Sequence, residues 1–302
     1  MATSTIERPA NTKQDLRMRR LGVALVAASA VCWSTAGLFV RVADLDSATL
    51  IVWSAIAACL GLGLVCAVRL GRNFLREIVG IGISGVLYVT VAAVCSISYI
   101  ISLRYTTVAN VMTIYAALPF LATAIAFFWL RERVSRRFVI AGAFAMGGVA
   151  ITAGAAATTD DIIGLVAGFV MTASFAAQLV FAKRYPKMDI LLVSAISAGV
   201  TAIIAAPFMN TDVVLTPMQL TGSALYGLIP YGLGTALALA GGRLVKSGEA
   251  GFIAMLDVVL GPVWVWLFFS EQPAVEAVIG GTMVLCAVAW YLSKEGNPAS
   301  EA

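Results

Sequence analysis

The chain alternates long apolar runs with short polar breaks, and the placing of those breaks dictates the architecture. A helix that crosses a bilayer needs about 20 mostly apolar residues. Ten runs meet that need: 21–40, 47–68, 78–103, 105–130, 138–157, 162–182, 190–207, 218–242, 250–270 and 277–293. Only Arg104 divides the third run from the fourth. Fused, they would make a helix of about fifty residues, about 75 Å at 1.5 Å per residue, against a hydrocarbon core of about 30 Å. A reversal is therefore required near Arg104 to Thr107, and the pattern predicts an all-α integral membrane protein of ten transmembrane helices.

Composition agrees. Of 302 residues, 61% are apolar and 12% charged, where an average soluble domain is roughly a quarter charged. The charges sit in the breaks, so the net charge of +4 is a property of loops. No basic stripe with interleaved aromatics points to nucleic acid. Lys and Arg resist translocation, which makes their distribution a record of orientation. Eighteen of the twenty lie in the N-terminal tail, the even-numbered breaks and at Lys294, while the odd-numbered breaks hold only Arg41 and Arg104. That asymmetry places both termini in the cytoplasm of a cell whose inner (plasma) membrane holds the chain. Residues 1–20 read as a polar cytoplasmic tail with no cleavable signal peptide, and residues 294–302 as a second tail.

An internal duplication underlies the ten runs. Shifted by 142 positions, Gly22, Phe39 and Arg41 fall on Gly164, Phe181 and Lys183; shifted by 139, Glu132 and Ile140 fall on Glu271 and Ile279. The halves are then residues 21–157 and 158–293, each with five spans. An odd number of crossings turns the second half upside down, and such inverted repeats place a substrate pathway at their shared interface near the midplane. The basic cluster Arg131, Arg133, Arg136 and Arg137 becomes Ser270, Gln272, Val275 and Glu276 in the second copy, as a change of side requires.

Several residues carry a family likeness. In the first half they are Leu103-Arg104-Tyr105-Thr106-Thr107, Leu118-Pro119, and Leu130-Arg131-Glu132-Arg133 followed by Gly142 and Gly148. In the second they are Leu256-Asp257 and Phe269-Ser270-Glu271, followed by Gly280-Gly281. With these, nearly the whole chain after the tail resembles bacterial permeases of the drug/metabolite transporter superfamily, built from two EamA-type repeats; within it the overall character is most like the aromatic amino-acid exporters. The resemblance implies a transporter working by alternating access. Two departures stand out. Where the family commonly has an acidic residue followed by proline, this chain has Asp257-Val258 with Pro262 four residues on, so any kink should be displaced. The family's usual glycine before the repeated glutamate is Arg131 in one half and Ser270 in the other.

The side-chain inventory removes other classes. Histidine is absent, which eliminates imidazole metal ligands, Ser-His nucleophile pairs and His proton relays. No phosphate-cradling GxxxxGK[ST] loop exists for an ATP-driven pump. Cys32, Cys59, Cys66, Cys95 and Cys286 all fall within apolar runs and read as small hydrophobes. No enzyme, metal, cofactor, nucleic-acid partner or ATPase subunit is expected; the implied partners are a small-molecule substrate and the lipid bilayer.

Asp257 is the one ionisable side chain that the sequence places well inside a run, and an intramembrane charge marks function by default. It would bind a substrate ammonium or a coupling proton, or else cap amides freed near Pro262 or face a wet vestibule. Trp53, Tyr88, Tyr99 and Tyr115 lie away from both interfaces, offering ring stacking beside a hydrogen bond; helix packing is the plainer role for each alone. Gln178 is a mid-span amide suited to a substrate, whereas Asn110, Ser96 and Ser98 suit interhelical bonds. Trp264, Trp266, Trp290 and Tyr291 read as interfacial anchors, and Arg41, Arg104 and Arg243 as snorkelling span ends. Pro119, Pro230 and Pro262 should kink their spans, as gates or as shape. Gly147-Gly148 and the Gly164/Gly168 pair predict close helix contacts. The polarity of the missing charges bounds the substrate: no span interior carries a Lys or Arg for phosphate, so neutral or zwitterionic solutes, amino acids above all, fit better than nucleotide-sugars, with lipophilic cations as the rival.

The orientation is checked with a membrane-impermeant thiol reagent on intact cells. Single cysteines introduced at Thr3 and at Ser300 should both stay unlabelled from outside, and labelling of either one alone contradicts an even number of crossings.

Overall fold

A computed structural model describes residues 12–106, 111, 114–153, 162–212, 214–270 and 275–294. These residues are helical nearly throughout, with no strand among them. Seven helical stretches are long and apolar enough to cross a membrane: Leu16–Ala43, Ser47–Val79, Gly82–Tyr105, Ile162–Arg184, Ile190–Phe208, Pro217–Gly242 and Ser247–Phe269. Leu118–Leu130, Arg136–Ala153 and Val275–Lys294 supply the fourth, fifth and tenth spans of the sequence pattern. The third helix stops at Tyr105 with Thr106 extended, at the expected reversal. The first begins at Thr12, inside the stretch read as a tail.

The packing repeats under exchange of the halves. The third span lies along the sixth as the first lies along the eighth; the third meets the seventh as the second meets the eighth; the fourth meets the sixth as the first meets the ninth. The second and seventh, fourth and ninth, and fifth and tenth spans pair with their own counterparts. Local features obey the same exchange. Asp46 caps the second span by accepting from the Ala48 and Thr49 amides, and Asp189 caps the seventh by accepting from those of Leu191 and Leu192. Arg131 and Ser270 end the fourth and ninth spans at φ 58° and 54°. That left-handed cap is the conformation a glycine adopts without strain, which explains the family's preference there.

Spans one, four, eight and nine are interrupted near their middles. The first breaks at Thr35, where the Ser34 and Thr35 hydroxyls donate to the carbonyls of Val31 and Cys32 and compete with the helix ladder. The fourth restarts at Leu118, so Pro119 stands in a first turn that needs no amide donor. It starts a half-helix and does not kink a continuous one. Pro230 sits in a π-helical stretch, Gly227–Gly234, whose wider winding accommodates the missing donor. The ninth span divides at Met255 into Ser247–Ala254 and Leu256–Phe269, in register with the break of the fourth and not at Pro262, which lies inside the second half-helix. The two broken spans touch where they bend: a Cβ on Gly251 would lie 3.0 Å from Pro119 Cα, and one on Gly248 would overlap Thr123 Oγ1.

Four readings are corrected. Tyr291 is buried between Phe138 and Phe252, because the tenth span packs along the fifth and turns that ring inward, away from the interface. Trp264 donates through Nε1 to Ser34 Oγ at 2.8 Å, tying the ninth span to the break in the first. Arg243 does not snorkel: it donates to the carbonyls of Ala182, Tyr185 and Met188, which the turn between the sixth and seventh spans leaves without helix partners. Asp257 is not the one carboxylate within a span, since the ninth helix starts early enough to bury Glu249 at 2% exposure. Trp266 and Trp290 are exposed, as anchors would be. Gly148 abuts the Gly280 carbonyl and Met283, the close contact its position predicts. Asn110 lies outside the described residues.

Relief of the left-handed strain should exceed the added freedom of the unfolded chain, so Ser270→Gly is expected to stabilise the protein by about 0.5–1 kcal/mol. Thermal unfolding in detergent checks this, and a lower midpoint than wild type counts against the αL cap.

Candidate functional site

Spans two, three, six, seven and eight enclose a cavity of about 90 Å³. Its wall is made by Ala58, Leu62, Tyr88, Ala92, Cys95, Ser96, Phe175, Gln178, Ser194, Ser197, Ala198, Tyr231, Gly232 and Thr235. No Lys, Arg, Asp or Glu is among them. The polar groups form short relays. Tyr88 donates to Gln178 Oε1 at 3.1 Å, joining the third span to the sixth. Tyr231 donates to Thr201 Oγ1 at 3.1 Å, and Thr201 Oγ1 lies 2.9 Å from Ser96 Oγ, joining the eighth, seventh and third. Cys95 donates to the Met171 carbonyl at 3.5 Å. Buried hydroxyls and amides need such partners in a place without water.

Sequence dictates this placing. Ser194, Ser197 and Thr201 recur at i, i+3 and i+7 on the seventh span, which puts three hydroxyls on one buried face. Tyr231 follows Pro230 in the π-helical stretch, where the altered winding re-aims the side chain. Close approach of the eighth span to the second depends on glycine, because a Cβ on Gly227 would lie 2.1 Å from the Ser54 carbonyl oxygen.

Phe175 links the cavity to an aromatic group. Its ring meets Trp33 edge-on at 5.4 Å between centroids and stacks on Tyr115 at 6.3 Å. Asp257 stands in the first turn of Leu256–Phe269, the second half-helix of the ninth span, and its charge reaches Tyr115. The half-helix N-terminus favours its negative charge. Rings, a carboxylate and a chamber of neutral donors thus follow one another through the middle of the protein. About 90 Å³ is room for a few waters, so the cavity is narrow here.

Of the six binding candidates, Tyr88 and Gln178 face the cavity together, and Tyr115 and Asp257 form the adjoining group. Tyr99 faces Tyr226 instead, and half-buried Trp53 lies near the start of the second span; neither lines the cavity. Trp33, Phe175, Ser194, Thr201 and Tyr231 were not singled out from the sequence. The spacing of the seventh-span hydroxyls was the legible signal. A second, wider cavity of about 430 Å³ opens at the arginine- and lysine-rich end, between residues 77–84 and 184–193. Leu192 and Val193 of the seventh span line it, next in sequence to Ser194 of the inner one.

The model of the EamA-like transporter family matches the chain twice, over residues 20–154 and 161–293. Twenty-eight solved chains match. One of them, described only as a crystal structure of a protein, superposes with a TM-score of 0.78 over 92% of this chain and 98% of its own, at 16% identity. That likeness concerns the fold. No curated protein matches the chain.

Removing the donor to Gln178 by Tyr88→Phe leaves a buried carbonyl oxygen unserved. A loss of about 0.6–2 kcal/mol is expected from unfolding in detergent; an unchanged midpoint would mean that water or another group already serves Gln178.

Proposed function

Because this chain belongs to the EamA-like transporter family, we propose that it exports small neutral or zwitterionic metabolites, with hydrophobic and aromatic amino acids preferred, by alternating access through the central cavity. The observation that carries this reading is the wall itself: neutral hydroxyls and an amide, the Phe175 ring with Trp33 and Tyr115 packed behind it, and no fixed charge within the lining. Rings supply contact area for an apolar side chain, and Tyr88, Gln178, Ser194 and Tyr231 supply exchangeable hydrogen bonds for a polar end. A phosphorylated solute would leave its charge unmatched there.

The protein sits in the inner membrane with both termini cytoplasmic, which makes the wider cavity a cytoplasmic vestibule, separate from the inner chamber. Gln178 and Tyr88 hold the solute, Tyr115 and Asp257 receive its ammonium, and the breaks at Thr35, Ala117 and Met255 with the π-helical stretch around Pro230 let half-helices swing about the site. Asp257 beside Tyr115 is the specific observation favouring the rival substrate, a lipophilic cation.

Radiolabelled phenylalanine, threonine and an ethidium-like cation are compared in liposomes containing the purified protein, with and without an imposed pH gradient. Saturable phenylalanine flux is expected, weakened about tenfold in kcat/KM by Gln178→Ala. Export of the cation alone would overturn the amino-acid assignment.

A further inference from the structure

At the basic end, two carboxylates tie the halves together. Glu132, in the connection between the fourth and fifth spans, receives the Lys183 ammonium at 2.7 Å, the Ser247 amide at 3.0 Å and the Ser247 hydroxyl at 3.1 Å. Lys183 also donates to the Val245 carbonyl at 2.6 Å. Glu249, one turn into the ninth span, pairs with Arg19 of the first at 2.5 Å. Each carboxylate belongs to one repeat and each cation to the other: Glu132 with Lys183, and Arg19 with Glu249.

The surrounding backbone leaves no slack. Gly248 and Gly251 seat the start of the ninth span directly on Thr123 and Pro119 of the fourth. This half-helix is therefore held at its start by the Ser247 bonds to Glu132 and the Glu249 pair with Arg19, and along its length by Gly248 and Gly251 against the fourth span. Lifting this half-helix off the fourth span breaks Ser247 from Glu132 and Glu249 from Arg19, and parting the connection of the fourth and fifth spans from the sixth breaks Glu132 from Lys183.

These pairs are only partly buried, with Glu249 alone fully so, and such pairs add little net stability; their best-attested use is to specify one arrangement among several. We propose that Glu132–Lys183–Ser247 and Arg19–Glu249 form a charge latch that holds the transport path shut at the basic face. The latch is engaged in this structure, in keeping with the narrow cavity. It rests on the transport reading only for its purpose; the closure itself is a geometric claim with its own readout.

Pulsed electron spin resonance supplies that readout in lipid nanodiscs. Spin labels at Val134 and Lys187, in the otherwise cysteine-free full-length chain, report the separation of two connections that the latch joins. Wild type should give one short distance. Glu132→Gln with Glu249→Gln should raise the ratio of a longer distance to the short one about tenfold. The charge exchange Arg19→Glu with Glu249→Arg should reduce that ratio relative to Glu249→Arg alone. Labels at Ser47 and Val214, on the opposite face, should show no matching increase. A wild-type distribution in the double glutamine variant overturns the latch, and so does equal spreading at both faces, which marks general loosening. Solute flux measured on the same samples separates the two ideas: opening without flux in any variant rejects transport and leaves the latch standing.

Discussion

In hydrocarbon every backbone N–H and C=O must find a partner inside the protein, and that one constraint orders everything else in this molecule. It makes each crossing a helix. It also makes each interruption of a helix informative, since freed backbone groups are tolerated only where other helices or a wet chamber receive them. Here the Gly227–Gly234 stretch contributes Tyr231 and Gly232 to the central chamber, the break at Ser34 and Thr35 adjoins Trp33, whose ring meets Phe175, and the fourth span restarts beside the ninth. The same places that weaken the ladder supply the site.

The crossing pattern was legible because it follows from hydropathy and charge alone. Asp46 and Asp189 begin their helices one repeat apart, and Arg131 and Ser270 end theirs in the same left-handed turn, so the duplication seen at Glu132 and Glu271 in the sequence has a backbone counterpart at neighbouring positions. The family's glycine is absent at both caps while the turn that asks for it is present. Exchange symmetry also predicts which helix touches which: the third beside the sixth requires the first beside the eighth.

The site was only partly legible. Tyr88 and Gln178 stood out as polar groups in apolar runs, and they meet. Tyr99 stood out equally and meets Tyr226 instead, because a shift of eleven residues, about three turns, along a span changes its neighbours while leaving its hydropathy unchanged. Phe175 carries no polar group and Trp33 only an indole N–H, so only packing shows that they meet. Tyr291 and Trp264 look like interfacial rings by position, yet the pairing of the fifth and tenth spans and the break at Ser34 turn them inward. Glu249 was hidden by the boundary: three residues of earlier helix start convert a loop carboxylate into a buried one.

Alternating access needs two faces that close by turns around one chamber, and the structure has both the chamber and a charged closure. Transport by this path requires that the chamber receive the solute. An electron cryo-microscopy map of the protein in nanodiscs with saturating phenylalanine tests it most directly. Density between Phe175 and the Tyr88–Gln178 pair, in a cavity wider than the present one, is the expected result. A chamber unchanged and vacant, with phenylalanine bound elsewhere or nowhere, would contradict it.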